Sequence, residues 1–227
     1  MGEMRGEMRG EMLAKKRSEI PGETLQSMHD RASPSAWVQR FMPSIPPGRV
    51  LDLACGAGRH TQLLAAAGYA VLAVDRDAAA LAAIDAIEQS CTDSADPIGM
   101  RGAVTTHCID LEQSSAEVAT LLQPESFAGI VVTNYLNRPL LPHLFDALIE
   151  GGVLIYETFA DGNAAFGKPS NPAFLLQRGE LLMACATAPC AVQVQAFEDV
   201  YCAEPKPAML QRLCAVRSSS VRTVQPM

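Results

Sequence analysis

The sequence has no long apolar segment, and its N-terminus is rich in charge. No apolar run approaches the roughly 18 residues that are needed to cross a bilayer, which argues against a membrane-spanning protein. The N-terminal residues also lack the apolar core of a secretory signal. We therefore expect a cytoplasmic protein that has no membrane partner.

Basic residues are scarce too, since 18 Lys and Arg stand against 25 Asp and Glu, and the formal net charge is −7. A surface built to hold nucleic acid needs clustered Lys and Arg, so this charge argues against nucleic acid as a partner.

The seven cysteines include no CxxC pair. An odd and scattered set argues against a disulfide framework and a metal site, and it fits reduced thiols in the cytosol.

The chain begins with a repeated tetrad, Gly-Glu-Met-Arg twice and then Gly-Glu-Met-Leu. Such low complexity with mixed charge predicts a flexible, solvated arm over residues 1–23. The remaining residues, 24–227, are predicted to form a single domain, since 227 residues with 48% hydrophobic side chains supply one substantial core. We expect a monomer or a homodimer.

Strand and helix patterns alternate along the middle of the chain. Five short apolar runs are predicted as strands, at 50–53, 70–74, 103–109, 129–133 and 153–158. Helical segments separate them, the last of which is predicted over 139–149. Continuous apolar strands separated by helices indicate a parallel sheet covered on both faces, so we predict a doubly wound α/β fold. Two closing strands, 192–201 and 209–216, are joined by a short turn and are therefore predicted to pair antiparallel.

The segment VLDLACGAGRHT, Val50 to Thr61, is the most informative part of the sequence. A strand ends at Asp52, a loop of small residues follows, and a helix then begins. Small residues allow a ligand to come close to the backbone, and the free N–H groups at a helix start attract a negative group. This arrangement predicts a cradle for a nucleotide-type cofactor.

Two cofactor classes compete for this cradle. A dinucleotide-binding fingerprint would have a third glycine where this chain has Thr61, and the carboxylate of Asp52 would repel a pyrophosphate. S-adenosyl-L-methionine carries a cationic amino-acid end, which Asp52 would attract directly or through water. Asp75 and Asp110 end the next two predicted strands and could accept hydrogen bonds from the ribose hydroxyls and the adenine amino group. The three aspartates would then line one crevice at the carboxyl ends of the strands.

Three segments resemble the motifs of class I S-adenosylmethionine-dependent methyltransferases: VLDLACGAGRHT, VLAVDRD at 71–77 and GGVLIYETF at 151–159. Within this superfamily the chain is similar to the small bacterial methyltransferases of the tellurite-resistance type. The resemblance implies a seven-stranded sheet whose last strand runs antiparallel beside strand five. Ala54 stands where the usual pattern has glycine. The candidate cofactor-binding residues are Asp52, Ala54, Cys55, Gly56, Gly58, Arg59, His60, Asp75, Arg76, Asp110, Leu111 and Asn134.

The methyl acceptor is expected beyond strand four, at residues 133–139. Amino-group methylases have an Asn-Pro-Pro-Tyr type signature at this place, and its replacement by Asn134-Tyr135-Leu136 argues against methylation of amino nitrogens. Arg138 is the nearest cation and could hold an anionic acceptor. The candidate catalytic residues are Asn134, Tyr135 and Glu157, and the candidate substrate contacts are Trp37, Arg138, His143 and Phe159. The Gly/Asn/Pro-rich loop 161–172 is longer than most connectors and is predicted to be functional.

The sequence therefore predicts a methyltransferase that acts on a small-molecule or metalloid acceptor by in-line transfer from S-adenosyl-L-methionine. Two alternatives stay open. The basic run Lys15-Lys16-Arg17 and the repeated arm leave room for an RNA or protein acceptor. The lack of a clear catalytic base leaves room for a non-catalytic module that only binds the cofactor.

Overall fold

The computed structural model describes residues 33–93 and 101–219. The arm predicted over residues 1–23, and its boundary with the domain at residue 24, lie outside the described residues. The predicted division of the chain therefore stays a prediction.

Seven strands form one sheet in the described part of the chain, in the spatial order β3-β2-β1-β4-β5-β7-β6. They are β1 (Arg49–Leu53), β2 (Ala70–Asp75), β3 (Val104–Cys108), β4 (Phe127–Thr133), β5 (Leu148–Phe159), β6 (Val192–Cys202) and β7 (Ala208–Arg217). Strands β1 to β5 pair in parallel, and β7 runs antiparallel to both β5 and β6. The predicted seven-stranded, mostly parallel α/β sheet with an antiparallel last strand is thus confirmed.

Six helices lie between these strands or before them in the described residues. They are α1 (Ala36–Phe41), α2 (Arg59–Ala66), α3 (Ala78–Asp93), α4 (Ser115–Leu121), α5 (Leu141–Ala147) and α6 (Glu180–Ala186). Short 3-10 turns accompany them at Met42–Ser44, Arg138–Leu140, Asn163–Ala165 and Pro172–Phe174.

Alternate residues of each central strand enter two different cores. In β1, Val50 packs in one core with side chains of α1 and α2, whereas Leu51 and Leu53 pack in the other with side chains of α4, α5 and α6. Successive side chains of a strand point to opposite faces, so a continuous apolar strand fits a sheet that is covered on both sides. This sandwich leaves the carboxyl ends of β1 to β5 on one edge.

The start of β5 differs from the prediction. The helix predicted over 139–149 ends at Ala147, and β5 begins at Leu148 rather than at residue 153. Gly151 and Gly152 lie within this strand, and Gly151 has a φ of +77° there. The register between β4 and β5 shifts between Phe127 and Gly129, as expected when an irregularity interrupts a strand. Local pattern could not show this, because the pairing partner of Leu148 is Phe127 on another strand.

Candidate active site

The loop between β1 and α2 turns sharply through left-handed backbone conformations. Ala54, Gly56 and Gly58 have φ angles of +56°, +54° and +78°. A side chain at Gly58 is excluded by contact as well, because its Cβ would lie 2.7 Å from the side chain of Ile84 on α3. The small residues of this loop are therefore required by its backbone path and by close packing on a neighbouring helix.

Asp75, at the end of β2, ties this loop to the neighbouring strand. Its Oδ2 accepts a hydrogen bond from the Gly56 N–H at 2.8 Å, and its Oδ1 accepts one from the Asp77 N–H at 3.0 Å. Each oxygen of an ionised carboxyl has two lone-pair positions, so both keep one for a ligand. The backbone thereby orients a carboxylate that can still accept two hydrogen bonds.

Asp110 repeats this arrangement just beyond β3. Its Oδ1 accepts from the Glu112 N–H at 2.9 Å, and its Oδ2 accepts from the Gln113 amide at 3.1 Å. Strands β2 and β3 are parallel neighbours, so their carboxyl ends bring Asp75 and Asp110 to the same edge of the sheet. Both residues line one cavity there, as the spacing predicted.

That cavity has a volume of about 320 Å³ and runs along the carboxyl ends of the parallel strands. From β1, β2, β3 and the segments after them, it is lined by Ala54, Asp75, Arg76, Ile109, Asp110, Leu111 and Glu112. From β4, β5 and the segments after them, it is lined by Asn134, Tyr135, Leu136, Thr158, Phe159, Pro169 and Phe174. A crevice at this edge is where open α/β sheets bind their ligands.

Asp52 does not line this cavity. Its side chain is 1% exposed, and its Oδ2 accepts a hydrogen bond of 2.6 Å from the Thr61 hydroxyl on α2. Burial raises the pKa of Asp52 to about 6, although the hydrogen bond from Thr61 opposes this shift. The crevice of three aspartates predicted from the sequence therefore contains two of them.

Other candidates from the glycine-containing loop also lie outside the lining. They are Cys55, Gly56, Gly58, Arg59 and His60. Cys55 is buried, and that burial raises the pKa of its thiol far above the ordinary range. Burial lowers the pKa of the Arg59 guanidinium, which donates to the Ser33 carbonyl at 3.2 Å. Their role in cofactor binding therefore stays a prediction.

His60 is a buried connector between α1 and β4. Its Nε2 accepts a hydrogen bond of 2.9 Å from the Ser35 N–H, which places the ring proton on Nδ1, 3.2 Å from the Thr133 hydroxyl. Burial lowers the pKa of His60 to about 3. The neutral ring therefore holds the segment before α1 against the end of β4.

On the β4 side, Asn134 and Tyr135 line the cavity. Asn134 has a left-handed φ of +56°, and its N–H donates to the Glu157 carbonyl at 2.9 Å. Asparagine tolerates this conformation better than most residues do. Burial raises the pKa of Tyr135, so its hydroxyl stays protonated at neutral pH.

Tyr156 is a positioning residue that the sequence reasoning missed. It is 1% exposed, and its hydroxyl donates to the Tyr135 carbonyl at 2.8 Å, which fixes the backbone of the cavity wall. The signal was present in the sequence, because a tyrosine that follows the aliphatic run Val153–Ile155 is expected to be buried and then needs a partner for its hydroxyl.

Four candidate residues do not line the cavity. Glu157 forms an ion pair of 2.6 Å with Arg212, and His143 lies exposed on α5. Trp37 is a core residue, since its ring is 4% exposed and its indole N–H donates to the Leu213 carbonyl at 3.2 Å. The fourth residue, Arg138, does not line the cavity as an anion-binding group. Its guanidinium is bound to the loop between β5 and α6. Of the candidate substrate contacts, Phe159 lines the cavity.

The loop that binds Arg138 connects β5 to α6, and we call residues 160–179 the β5–α6 loop. The Arg138 guanidinium donates to both oxygens of Glu180, at 2.6 and 3.0 Å, and to the carbonyls of Ala173 and Leu175, each at 2.8 Å. Pro169 and Phe174 of this loop form part of the cavity wall. The sequence predicted a functional loop here but did not show which of its residues face inward.

These features together define a class of protein. The strand order, the left-handed loop after β1 and the aspartates at the ends of β2 and β3 are those of a class I S-adenosylmethionine-dependent methyltransferase. Solved structures of such proteins have the same fold.

Three solved structures illustrate the likeness. TehB from Haemophilus influenzae is 18% identical with a TM-score of 0.59, and the match covers 86% of this chain and 65% of that one. A SAM-dependent methyltransferase from Methanosarcina mazei is 14% identical with a TM-score of 0.57, over 82% of this chain and 99% of that one. Geranyl diphosphate methyltransferase, in complex with GPP and sinefungin, is 14% identical with a TM-score of 0.58, over 80% and 78%.

The particular family follows from the sequence. The family model described as "Tellurite resistance protein TehB" matches residues 31–148, which is more than half of the chain. The chain therefore belongs to the TehB family, and the predicted family and its cofactor, S-adenosyl-L-methionine, are confirmed. No curated protein matches the chain. Among residues 33–93 and 101–219, the structure shows no candidate metal cluster and no helix that is long and apolar enough to cross a membrane.

Proposed function

We propose that this protein is an enzyme that transfers a methyl group from S-adenosyl-L-methionine to a small-molecule acceptor, and that the cavity of about 320 Å³ forms part of the site that holds them. The observation that carries this proposal is the pair of carboxylates at the ends of β2 and β3. Asp75 and Asp110 line one cavity, and each is oriented by a backbone N–H.

The residues present fit this cofactor. Asp75 would accept hydrogen bonds from the two ribose hydroxyls, because each of its oxygens keeps a lone pair. Asp110 would accept from the adenine amino group, and Ile109 and Leu111 beside it would contact the apolar ring. The left-handed backbone at Ala54 lets the loop pass close to the ligand.

When bound, S-adenosyl-L-methionine supplies a methyl group that its positively charged sulfur already activates. The chain's own contribution is to hold the acceptor in line with that group, and orientation of this kind can supply about 7–11 kcal/mol. Tyr135 and Asn134 form the wall at the end of β4, where the Tyr135 hydroxyl can donate a hydrogen bond to the acceptor. Tyr156 keeps that wall in place through the Tyr135 carbonyl.

A small-molecule acceptor fits the enclosed part of the site better than a macromolecule does. The cavity lies at the lower end of the range of volumes that small ligands occupy, roughly 300–1,000 Å³. The basic run Lys15-Lys16-Arg17, which motivated an RNA or protein acceptor, lies outside the described residues. The net charge of −7 also argues against an RNA acceptor.

Isothermal titration with S-adenosyl-L-methionine tests this proposal through Asp75→Asn. The variant keeps the size of the side chain, removes its charge and replaces one of its two acceptor oxygens with an NH₂ group, so we expect affinity to fall about 10- to 100-fold. The matched control is Asp77→Asn. Asp77 caps α3 through the N–H groups of Ala79 and Ala80 and does not line the cavity, so affinity should not change.

Two results would contradict the proposal. One is the absence of binding to the wild-type protein at millimolar cofactor. The other is an unchanged affinity in Asp75→Asn. If the cofactor binds, formation of S-adenosyl-L-homocysteine with a panel of small acceptors distinguishes an enzyme from a module that only binds the cofactor.

A further inference from the structure

The end of β5 places three polar side chains on one face of the sheet. Tyr156 and Thr158 point to the same side, because side chains alternate along a strand, and Gln211 of β7 pairs directly with Thr158. All three are buried, with exposed fractions of 1%, 1% and 0%. A buried polar group needs a hydrogen-bond partner. Tyr156 has one within the protein, since its hydroxyl donates to the Tyr135 carbonyl at 2.8 Å.

The side chain of Gln211 is also fully engaged within the protein. Its carbonyl oxygen accepts a hydrogen bond of 2.8 Å from the Leu181 N–H. Its amide nitrogen donates to the Gln177 carbonyl and to the Asp199 carboxylate, each at 3.0 Å. An amide group has two hydrogens to donate, so Gln211 has none left for its neighbour Thr158.

Thr158 differs from these two residues, because its hydroxyl opens into the cavity. The hydroxyl forms no hydrogen bond with residues 33–93 or 101–219. In the same part of the chain, no side-chain oxygen is sealed in the interior without a partner. Thr158 lines the cavity, so its hydroxyl must be accessible from there. A hydrogen-bond partner for this hydroxyl therefore comes from a molecule in the cavity.

The order of the strands places Thr158 beyond the expected position of the cofactor's methyl group. Asp75 on β2 and Thr158 on β5 are separated by β1 and β4, which is three strand spacings or about 14 Å. The sulfur of S-adenosyl-L-methionine is bonded directly to the ribose, so a ribose held by Asp75 keeps the methyl group close to the ends of β1 and β4. Thr158 then lies on the side from which an acceptor approaches.

A second polar side chain stands beside Thr158 at this end of the cavity. Thr133 of β4 pairs with Glu157 of β5, so the next residues of the two strands, Asn134 and Thr158, come side by side. Both line the cavity. A hydroxyl donates one hydrogen bond and accepts others, and it carries no charge. It can therefore hold an acceptor whose reactive atom is protonated as well as one that is ionised.

We propose that Thr158 binds the methyl acceptor, with its hydroxyl hydrogen-bonded to a polar atom of that molecule. The bond orients the acceptor toward the methyl group, and Thr158 itself forms no covalent bond. This inference rests on the proposed function, since it takes Asp75 as the residue that holds the ribose.

Three variants separate the hydroxyl of Thr158 from its methyl group. Thr158→Val removes the hydroxyl and keeps the shape, Thr158→Ser keeps the hydroxyl, and Thr158→Ala removes both groups. We expect kcat/KM for the acceptor to fall about 5- to 50-fold in the valine and alanine variants and to stay within about threefold in the serine variant. A side chain that only packs would give the opposite pattern, with normal activity in the valine variant and loss in the serine variant.

The acceptor for these measurements is chosen with the wild-type protein. Full-length protein is incubated with methyl-labelled S-adenosyl-L-methionine and with sodium tellurite, sodium selenite or the small-molecule filtrate of a bacterial extract. The probe that yields most S-adenosyl-L-homocysteine is kept, and rates are compared at limiting acceptor, where they are proportional to kcat/KM. Thr105→Val is the matched control, since Thr105 lies exposed on β3 outside the cavity, and its rate should equal that of wild type.

Calorimetry with S-adenosyl-L-homocysteine tells whether Thr158 acts on the acceptor or on the cofactor. We expect the Kd of all three variants to stay within about twofold of the wild-type value, because the cofactor is held from β2 and β3. An equal loss in cofactor affinity and in rate would place Thr158 in the cofactor site and overturn the inference.

The remaining outcomes separate the inference from the proposed function. If the wild-type protein forms no S-adenosyl-L-homocysteine with any probe, the proposed function fails and the inference fails with it. If the wild-type protein is active and Thr158→Val is equally active, the proposed function stands and Thr158 does not bind the acceptor.

Discussion

At the residue scale, Ala54 is the position where the loop after β1 departs most from the usual pattern of its family. Its φ is +56°, a conformation in which the Cβ crowds the following carbonyl and costs about 1–2 kcal/mol. Glycine would avoid this strain but would lose more entropy on folding, by roughly 0.5–1 kcal/mol. The balance favours glycine by a small margin.

We therefore expect Ala54→Gly to stabilise the protein by about 0.5–1 kcal/mol, as measured by urea unfolding at equilibrium. The control is Ala57→Gly in the same loop. Ala57 is exposed and has no left-handed backbone, so glycine there should cost about 0.4–1 kcal/mol through the unfolded state. A less stable Ala54→Gly protein would show that the Ala54 backbone is not strained.

The sequence predicted some site residues and not others for a physical reason. Asp75 and Asp110 follow parallel strands, so topology alone brings them to one cavity. The surroundings of Asp52, Glu157 and Arg138 depend on partners 9, 55 and 42 residues away along the chain. A pattern in sequence shows that a charged residue needs a partner, but it does not show which residue supplies one.

At the element scale, the same contrast separates strands from loops. Strands β1 to β4 were predicted within a few residues, because each is a short segment between two helices, and β1, β2 and β4 are chiefly apolar. The β5–α6 loop has no such periodicity, and its path depends on long-range contacts. Arg138, in the segment after β4, binds this loop through the carbonyls of Ala173 and Leu175, and it also pairs with Glu180 at the start of α6.

We expect Arg138→Gln to loosen the β5–α6 loop locally. Hydrogen exchange should detect this at the Leu176 amide, which donates to the Phe159 carbonyl at 3.0 Å within the loop's attachment to β5. A coupling of about 0.5–1 kcal/mol between Arg138 and Glu180 is expected in a double-mutant cycle with Glu180→Gln, since the pair is two-pronged but partly exposed.

Arg217→Gln is the matched control for this experiment. Arg217 also donates to two carbonyls, those of Asp146 and Leu148, and forms an ion pair with Glu125. It is the last residue of β7 and does not contact the β5–α6 loop through these bonds. Loss of the Arg217 guanidinium should lower the stability of the whole protein, and it should not cause an increase in exchange that is confined to the Leu176 amide. Equal effects of both variants at Leu176 would mean that Arg138 has no special role in the loop.

At the scale of the whole molecule, two buried titratable groups change the pH dependence of stability in opposite directions. The pKa of Asp52 rises from 3.8 to about 6 on folding, and the pKa of His60 falls from 6.5 to about 3. Between pH 4 and 6 the folded state binds more protons than the unfolded state at Asp52 and fewer at His60. Asp52 therefore makes stability fall as the pH rises through this window, whereas His60 makes it rise.

Removing either group should expose the contribution of the other. Relative to wild type, His60→Gln should make the slope of unfolding free energy against pH more negative by up to about 1.4 kcal/mol per pH unit between pH 4 and 6. Asp52→Asn should make it more positive by a similar amount. Both replacements keep polar atoms for the partners of the original side chain, which are Ser35 and Thr133 for His60 and Thr61 for Asp52. Urea unfolding of the three proteins at pH 4, 5 and 6 measures the slopes, and parallel lines for all three would show that neither group changes its proton affinity on folding.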